Sequence, residues 1–475
     1  MTANRLQNFV NGRFADASGH DTHEVINPAT EQVVALQPTS NSADVDAAMA
    51  AAAEAFEGWR RATPSLRQKS LLGLADALEA GSDTLVEAQH RNTGQIRSFI
   101  ATEEVAVGAD QVRFFAGAAR RLDGVAGGEY LDGYTSYVRR EPIGVIAQIT
   151  PWNYPLMMAI WKMAPAIAAG NTVVLKPAST TPESTLVLAE LTAGVLPDGV
   201  FNVLVGDRTT GALMVDHSTT AMAAITGSVR AGIEVAKTAS NKVKRVHLEL
   251  GGKAPAVVFA DADLAATAPA LTDGGYFNAG QDCTAVTRVL VQDSVHDEFV
   301  AALVTAAREK VTGDAENPDA FYGPLNSAGH LAKVSQYVDS VPGHITVATG
   351  GHRVGERGFY YAPTVLTGVR QDDAVVQEEI FGPVLTVQPF RNADEALALA
   401  NGVPFGLASS VWTSDHQTAL RFSRELNFGC VWINTHIPLT AEMPHGGFGY
   451  SGYGKDLSVY GLDDYTRVKH VMSAL

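Results

Sequence analysis

The chain has 475 residues, 46% hydrophobic and 18% charged, with no Pro/Ser tract, like-charge block or low-complexity run, so it reads as globular with two large domains or three ordinary ones. Its formal net charge of -16 excludes the basic face that nucleic acid or an anionic membrane needs, and leaves a cationic small molecule open. Two cysteines exclude a disulfide framework and point to a reducing cytoplasm; there is no signal-peptide core, and Lys162 breaks the apolar run from Pro155 to Gly170 short of a membrane span.

A short entry strand leads into a helical first 120 residues. Ser42 is placed to cap a helix running to Phe56 and stopped by Gly58, Thr63-Pro64 starts a second that ends near Gly81, and Ser82 caps a third. A longer helical pattern runs from Ile100 to Arg121. From Ile143 short apolar runs alternate with helical stretches, at Ile143 to Ile149, Thr172 to Leu175, Phe201 to Val205, Ala223 to Ile225 and Arg245 to Leu250. Such alternation predicts a parallel sheet covered by helices. A second series begins at Ala254 and continues through Arg288 to Gln292, Val384 to Val387 and Ser409 to Trp412. The expected division is a nucleotide-type domain from 1–122 and 142–251, a second α/β domain over 252–450, and a hairpin arm at 123–141 that pairs with the closing segment 451–475 across a subunit boundary.

The chemistry centres on FNAGQDCTAVTR, Phe277 to Arg288, which puts Cys283 in a small, polar turn. A thiolate nucleophile needs access, a lowered pKa and donors for the charge it creates on a carbonyl, and a Gly-rich turn entering a helix supplies all three. Alone, Cys283 fits an inert buried thiol as well; Cys430, in FGCVWIN between strand-forming residues, suits that role better. PWNYP, Pro151 to Pro155, follows a predicted strand and aims the Asn153 amide toward a cleft. LELGGKAP ends an apolar strand on Glu249, either an ion-pair partner or a general base, and EEIFGP adds two carboxylates before a turn. No GxGxxG occurs, but ITGSVRAG, Ile225 to Gly232, joins a strand to a helix whose N–H groups suit a pyrophosphate.

Taken together, PWNYP, KPAS, TGS, LELGGK, GQDC and EEIFGP resemble the aldehyde dehydrogenase superfamily in order and spacing, over essentially the whole chain from Asn11-Gly12 to GYGKDLSVYGLDDY. VRFFAGAAR, GEYLDGYTS, PWNYPLMMAIWKMAPA, GQDCTA and NTHIPLTAEMPHGG look more narrowly like the bacterial γ-aminobutyraldehyde dehydrogenases. The resemblance implies an α/β architecture with a Rossmann-like cofactor domain, an α/β catalytic domain and a β-hairpin oligomerisation arm, with a homotetramer (a dimer of dimers) expected and a dimer as the alternative. It implies that Cys283 attacks the aldehyde to give a thiohemiacetal, that Asn153 and the Cys283 backbone N–H hold its oxyanion, and that Glu249 activates Cys283 or the water that hydrolyses the thioester left after hydride transfer. Lys176 is counted with this catalytic set. Thr150, Trp152, Lys176, Ser179, Gly227, Ser228, Glu379 and Phe381 are expected around NAD, with no metal.

Two features depart from the family pattern. Many NAD-preferring relatives carry a Glu where this chain has Ser179, and a carboxylate there repels a 2′-phosphate, so NADP stays possible. The loop GDRTTG after Val205 is one residue shorter than in the aminoaldehyde relatives, and Arg208 in it either reaches a phosphate or is a solvated surface residue. Asp282 directly precedes the nucleophile, where an unpaired carboxylate opposes a thiolate, and receiving a substrate ammonium is one reason for it. Tyr154, Trp161, His436, Leu439 and His445 complete the expected substrate wall by analogy, with Glu103, Glu104 and Asp110 as acidic contributors or a solvated face. The substrate expected is an aminoaldehyde such as 4-aminobutanal. Rival readings are a betaine-aldehyde or succinate-semialdehyde dehydrogenase, thioester release to coenzyme A, and an inactive homologue that only binds or scaffolds.

Overall fold

The strand-helix alternation that starts at Ile143 builds the first of two large sheets. The computed structural model describes residues 4–121 and 123–475. Five parallel strands lie in the order Arg245–Glu249, Thr220–Thr226, Val145–Ile149, Thr172–Lys176 and Phe201–Val203. The chain lays down the strands on one side of Val145–Ile149 and then returns to the other side, which creates a switch point beside Thr220–Thr226. Ligands of doubly wound sheets bind outside the carboxyl ends of the strands at such a point. Antiparallel strands extend both edges: Asn8–Val10 and Arg13–Ala15 on one, and Gly452–Tyr453 on the other.

The second sheet runs Thr346–Thr349, Thr364–Thr367, Val384–Phe390, Val286–Gln292, Ala254–Val258, Ala408–Trp412 and Cys430–Ile433, all parallel except the first pair. The chain passes from one sheet to the other through Leu250-Gly251-Gly252-Lys253. Both glycines are dictated by close approach. A Cβ on Gly251 would lie 2.4 Å from the Glu379 carboxylate oxygens, and one on Gly252 would lie 2.1 Å from the Cys283 carbonyl oxygen. The diglycine therefore lets two site loops close over the junction.

Helix Pro64–Ala80 presents Leu71, Leu74, Ala75 and Leu78 at helical spacing, and packs them with Val112 and Phe115 of Val107–Ala118 and Ile160 and Met163 of Pro155–Ala169. Truncating a fully buried aromatic such as Phe115 to Ala costs about 3–5 kcal/mol. This core fixes the base of the cleft.

Several expectations change. The first helix, Ser42–Trp59, is capped by Asn41 rather than Ser42, because Asn41 and Asp44 exchange backbone bonds as a capping box. Gly81 precedes Ser82–Thr93 without a side-chain cap. The long pattern begins as a wide π-helical turn, Ile100–Ala106, before Val107–Ala118. The entry region holds five strands instead of one, and Asn11-Gly12, with φ of 52° and 76°, turns the hairpin Asn8–Val10/Arg13–Ala15. The closing strand Thr466–Ala474 pairs with Tyr134–Pro142 of its own chain, where pairing across a subunit boundary was expected.

Candidate active site

Three strands of the first sheet end together at the switch point, and each delivers part of one cleft. Val145–Ile149 leads into Thr150 to Tyr154, and Pro155 then starts a helix at the position where a missing N–H costs nothing. Thr220–Thr226 leads into Gly227 and Ser228, and Ser228 caps Val229–Ser240 by accepting from the Ala231 N–H at 3.3 Å. Arg245–Glu249 ends on Glu249, whose carbonyl accepts from the Gly227 N–H at 3.0 Å. Trp152, Gly227, Ser228, Glu379 and Phe381 line the same cleft as Asn153, Cys283 and Glu249. Here Glu379 accepts from the Gly252 N–H at 2.8 Å, and Trp152 meets Phe381 edge-on at 5.4 Å. Lys176, Thr150 and Ser179 are not among the lining residues. The Lys176 ammonium bonds the carbonyls of Pro177 and Gly206 at 2.6 and 3.3 Å, and burial draws its pKa down to about 8. Arg208 is exposed, with no ion pair among the described residues.

A dinucleotide fits this arrangement. The Thr150 and Thr226 hydroxyls are buried at the switch point without a hydrogen-bond partner among the described residues, and Gly227 opens onto a helix N-terminus suited to phosphate.

The loop that carries Cys283 is reached by an unusual path. After helix Leu264–Tyr276, Asn278, Ala279 and Gly280 all take left-handed backbone conformations, with φ of 49°, 60° and 67°, and reverse the chain into Gln281-Asp282-Cys283. Cys283 thus lies between a helix and the strand Val286–Gln292, so the expected helix N-terminus behind it is absent. Side-chain amides take over its anchoring work. Asn153 donates to the Gln281 carbonyl at 2.9 Å, while Gln95 and Asn278 donate to the Asn153 carbonyl at 2.8 and 2.9 Å. Gln281 in turn bonds Pro324 and accepts from the Asn326 N–H at 2.8 Å. Gln95 and Asn278 were not singled out from sequence, although an Asn two residues before a glycine signals left-handed backbone.

The thiol pKa is opposite to expectation. Burial, and then the charges of Asp282, Glu249 and Glu379, push Cys283 well above its ordinary value, so the thiol holds its proton at neutral pH and needs a base. Glu249 stands beside the thiol. Its carboxylate, the Cys283 sulfur and a ring nitrogen of His445 lie within 4.8 Å of one another.

Asp282 is not unpaired. It accepts from the Tyr154 hydroxyl at 2.7 Å and from the Thr284 N–H and hydroxyl at 2.6 and 2.7 Å, and these bonds supply a reason for its burial that needs no substrate. Tyr154, Trp161, Leu439 and His445 line the cleft with it, and Met157 and Met158, which sequence reasoning passed over, join them. His436 does not line it. Its ring is buried behind the loop, within 2.8 Å of both the Ser410 hydroxyl and the Thr284 carbonyl. Glu104 is also outside the cleft, buried at the start of Pro155–Ala169, where it accepts from the Met157 N–H at 3.1 Å and burial raises its pKa to about 8. Glu103 and Asp110 are exposed.

Comparison with known proteins extends over nearly the whole chain. The model of the aldehyde dehydrogenase family matches residues 14–471. An aldehyde dehydrogenase of Emericella nidulans is 41% identical over 469 residues, covering 98% of this chain and 94% of that one. A mitochondrial aldehyde dehydrogenase of Leishmania tarentolae is 40% identical over 470 residues, covering 97% and 93%. Among solved structures, an NAD-dependent aldehyde dehydrogenase from Sinorhizobium meliloti superposes with a TM-score of 0.96 at 39% identity, covering 99% of this chain and 95% of that one. Betaine aldehyde dehydrogenase from Staphylococcus aureus in complex with NAD+ does so with a TM-score of 0.96 at 34% identity, covering 99% and 95%. Matching at this identity from end to end leaves one assignment for the fold and the cleft together: the chain belongs to the aldehyde dehydrogenase family.

Proposed function

We propose that the enzyme oxidises a small cationic aldehyde, of the 4-aminobutanal type, to its acid with NAD, through covalent attachment to Cys283. The observation that carries the chemistry is a half-buried thiol within 4.8 Å of a carboxylate, in the cleft that Gly227 and Ser228 open. When bound, the nicotinamide supplies the acceptor for the hydride that the aldehyde carbon gives up. Glu249 takes the proton that burial keeps on Cys283, freeing the sulfur to bond the carbonyl carbon. Asn153 has one amide N–H on the Gln281 carbonyl, which fixes its orientation and leaves the other N–H for the oxyanion, beside the Cys283 N–H. After oxidation Glu249 deprotonates the water that hydrolyses the thioester, and the thiol returns as leaving group. Lys176 and Glu379 are proposed at the ribose hydroxyls, with Phe381, Trp152, Thr150 and Ser179 along the rest of the cofactor.

The Asp282–Tyr154 pair supports a cationic substrate by setting a carboxylate in the cleft wall, where the ammonium of the substrate is proposed to lie. Among the described lining residues there is no Arg, and the one Lys, Lys333, lies beside Glu379, its ammonium bonding the Glu379 carbonyl at 3.2 Å. That distribution disfavours a semialdehyde carboxylate. Betaine aldehyde is the second reading, favoured by Tyr154 and Trp161 in the wall, since aromatic faces attract quaternary ammonium. A homotetramer and a cytoplasmic location belong to the same proposal, supported by the exposed Tyr130, Leu131, Val468 and Met472 on the arm and by the sparing use of thiols.

A kcat/KM panel over 4-aminobutanal, 3-aminopropanal, betaine aldehyde, succinic semialdehyde and hexanal, with each nicotinamide cofactor, tests the reading. Asp282→Asn is expected to raise KM for 4-aminobutanal at least about tenfold more than for butanal, the loss of one close charge pair. Equal effects on both aldehydes would remove Asp282 from substrate recognition.

A further inference from the structure

His445 occupies a position that a wall residue does not need. Its ring is 1% exposed, it packs edge-on against Trp161 at 5.3 Å, and its Nε2 lies 3.3 Å from Glu249 Oε1. Among the described residues neither ring nitrogen nor Glu249 Oε1 has any other hydrogen-bond partner. The backbone, by contrast, is fixed. The His445 N–H and carbonyl pair with Asp456 at 2.9 and 2.8 Å, and Asp456 is itself held by Lys162 at 2.6 Å and His247 at 3.2 Å. A side chain on a pinned backbone, with both nitrogens unbonded and one aimed at the general base, is placed to exchange a proton with that base.

We propose that His445 is the proton-relay partner of Glu249, accepting at Nε2 the proton that Glu249 removes from the Cys283 thiol or from the hydrolytic water. This rests on the reading that Glu249 serves Cys283. In the step an N–H bond forms on neutral imidazole, the O–H bond on Glu249 breaks, and the carboxylate is restored; no electrons are transferred to or from an oxidant. The imidazolium then gives the proton to solvent in the cleft. One turnover of aldehyde to carboxylate releases two protons, which gives a buried base reason to hand its proton on.

The charges facing His445 are Glu249 from the first sheet, Asp282 and the Cys283 thiol from the nucleophile loop, and Asp456, which Lys162 and His247 offset. Burial opposes the imidazolium, but the Glu249 carboxylate holds the His445 pKa above the ordinary histidine value. Below that pKa the imidazolium cannot accept a proton, and above it the relay is open, so activity rises with pH through this ionisation.

The test uses the NAD-saturated enzyme with hexanal, whose lack of charge leaves the ammonium contact out of the comparison, between pH 6 and 10. His445→Phe and His445→Gln are each expected to lower kcat about 10- to 100-fold, toward the lower end of general acid-base contributions, and to move the rising limb of the pH profile. Glu249→Gln combined with His445→Phe is expected to be no slower than Glu249→Gln alone, because a relay adds nothing once its base is gone. An unchanged kcat and pH limb in both single variants, or losses that multiply in the double variant, overturns the proposal. Activity remaining in Cys283→Ala would instead overturn the reading beneath it.

Discussion

The two walls of the cleft are built in opposite ways. On the nucleophile side, Asn153, Gln95, Asn278, Gln281 and Asp282 form a ladder in which each side chain is hydrogen-bonded to the protein. On the other side, Glu249 Oε1, both His445 nitrogens and the Thr226 hydroxyl are buried without a hydrogen-bond partner among the described residues. A buried polar group left unsatisfied costs about 1–3 kcal/mol. In the proposed reaction the bonded wall fixes the sulfur and the oxyanion donor in advance, and the unbonded wall holds groups whose partners arrive with the substrate. Substitutions on the first should therefore cost both stability and rate, and those on the second mainly rate.

The sharpest contrast is expected from Glu249→Gln. It removes the base but no protein hydrogen bond, so kcat should fall about 10²–10⁴-fold with little change in Tm, read by NADH absorbance and calorimetry. A large loss of Tm would mean that Glu249 is a structural ion-pair partner. Asn153→Ala should lower kcat about 10²–10³-fold, the cost of one oxyanion donor, and should lower Tm as well because the Gln281 carbonyl loses its shorter hydrogen bond and keeps only the one from Asn278 at 3.4 Å. Gln95→Leu touches no reacting atom yet strips donors from Asn153 and Asn278, and should destabilise the protein by about 1–3 kcal/mol in urea unfolding. Unchanged stability there would break the distinction between the walls.

The smallest expected effect comes from Glu104, at the foot of the bonded wall. Its pKa in the fold, raised to about 8 by burial, lies above the unfolded carboxyl value. The fold then binds more protons than the unfolded chain, so this contribution to stability is full below the unfolded pKa of about 4.3 and is lost as pH rises through about 8. Unfolding free energy should decline by about 1 kcal/mol or more between pH 6 and 9, and Glu104→Gln should flatten that decline.

Sequence periodicity located the strands that carry the site, because parallel strands buried on both faces leave continuous apolar runs such as Val145–Ile149 and Thr172–Lys176. It was blind to the half-exposed strands of the entry region, such as Thr22–Asn27, whose burial does not alternate cleanly. Motif order brought Asn153, Glu249 and Cys283 to one place. It could not separate His436 from His445, since both lie in the irregular segment after Cys430–Ile433, where Asn434 and Ile437 have φ of 53° and 84° and side-chain direction follows no period. Nor could residue type alone show that the thiol's neighbours would raise its pKa, because that depends on three carboxylates gathered from three separate segments.

Mass spectrometry of the protein quenched during turnover of aldehyde with NAD tests the central claim most directly. An acyl adduct on the peptide containing Cys283, accumulating further in Glu249→Gln and absent in Cys283→Ala, is the predicted result. An adduct on Cys430 or elsewhere, or full turnover by Cys283→Ala, would contradict it.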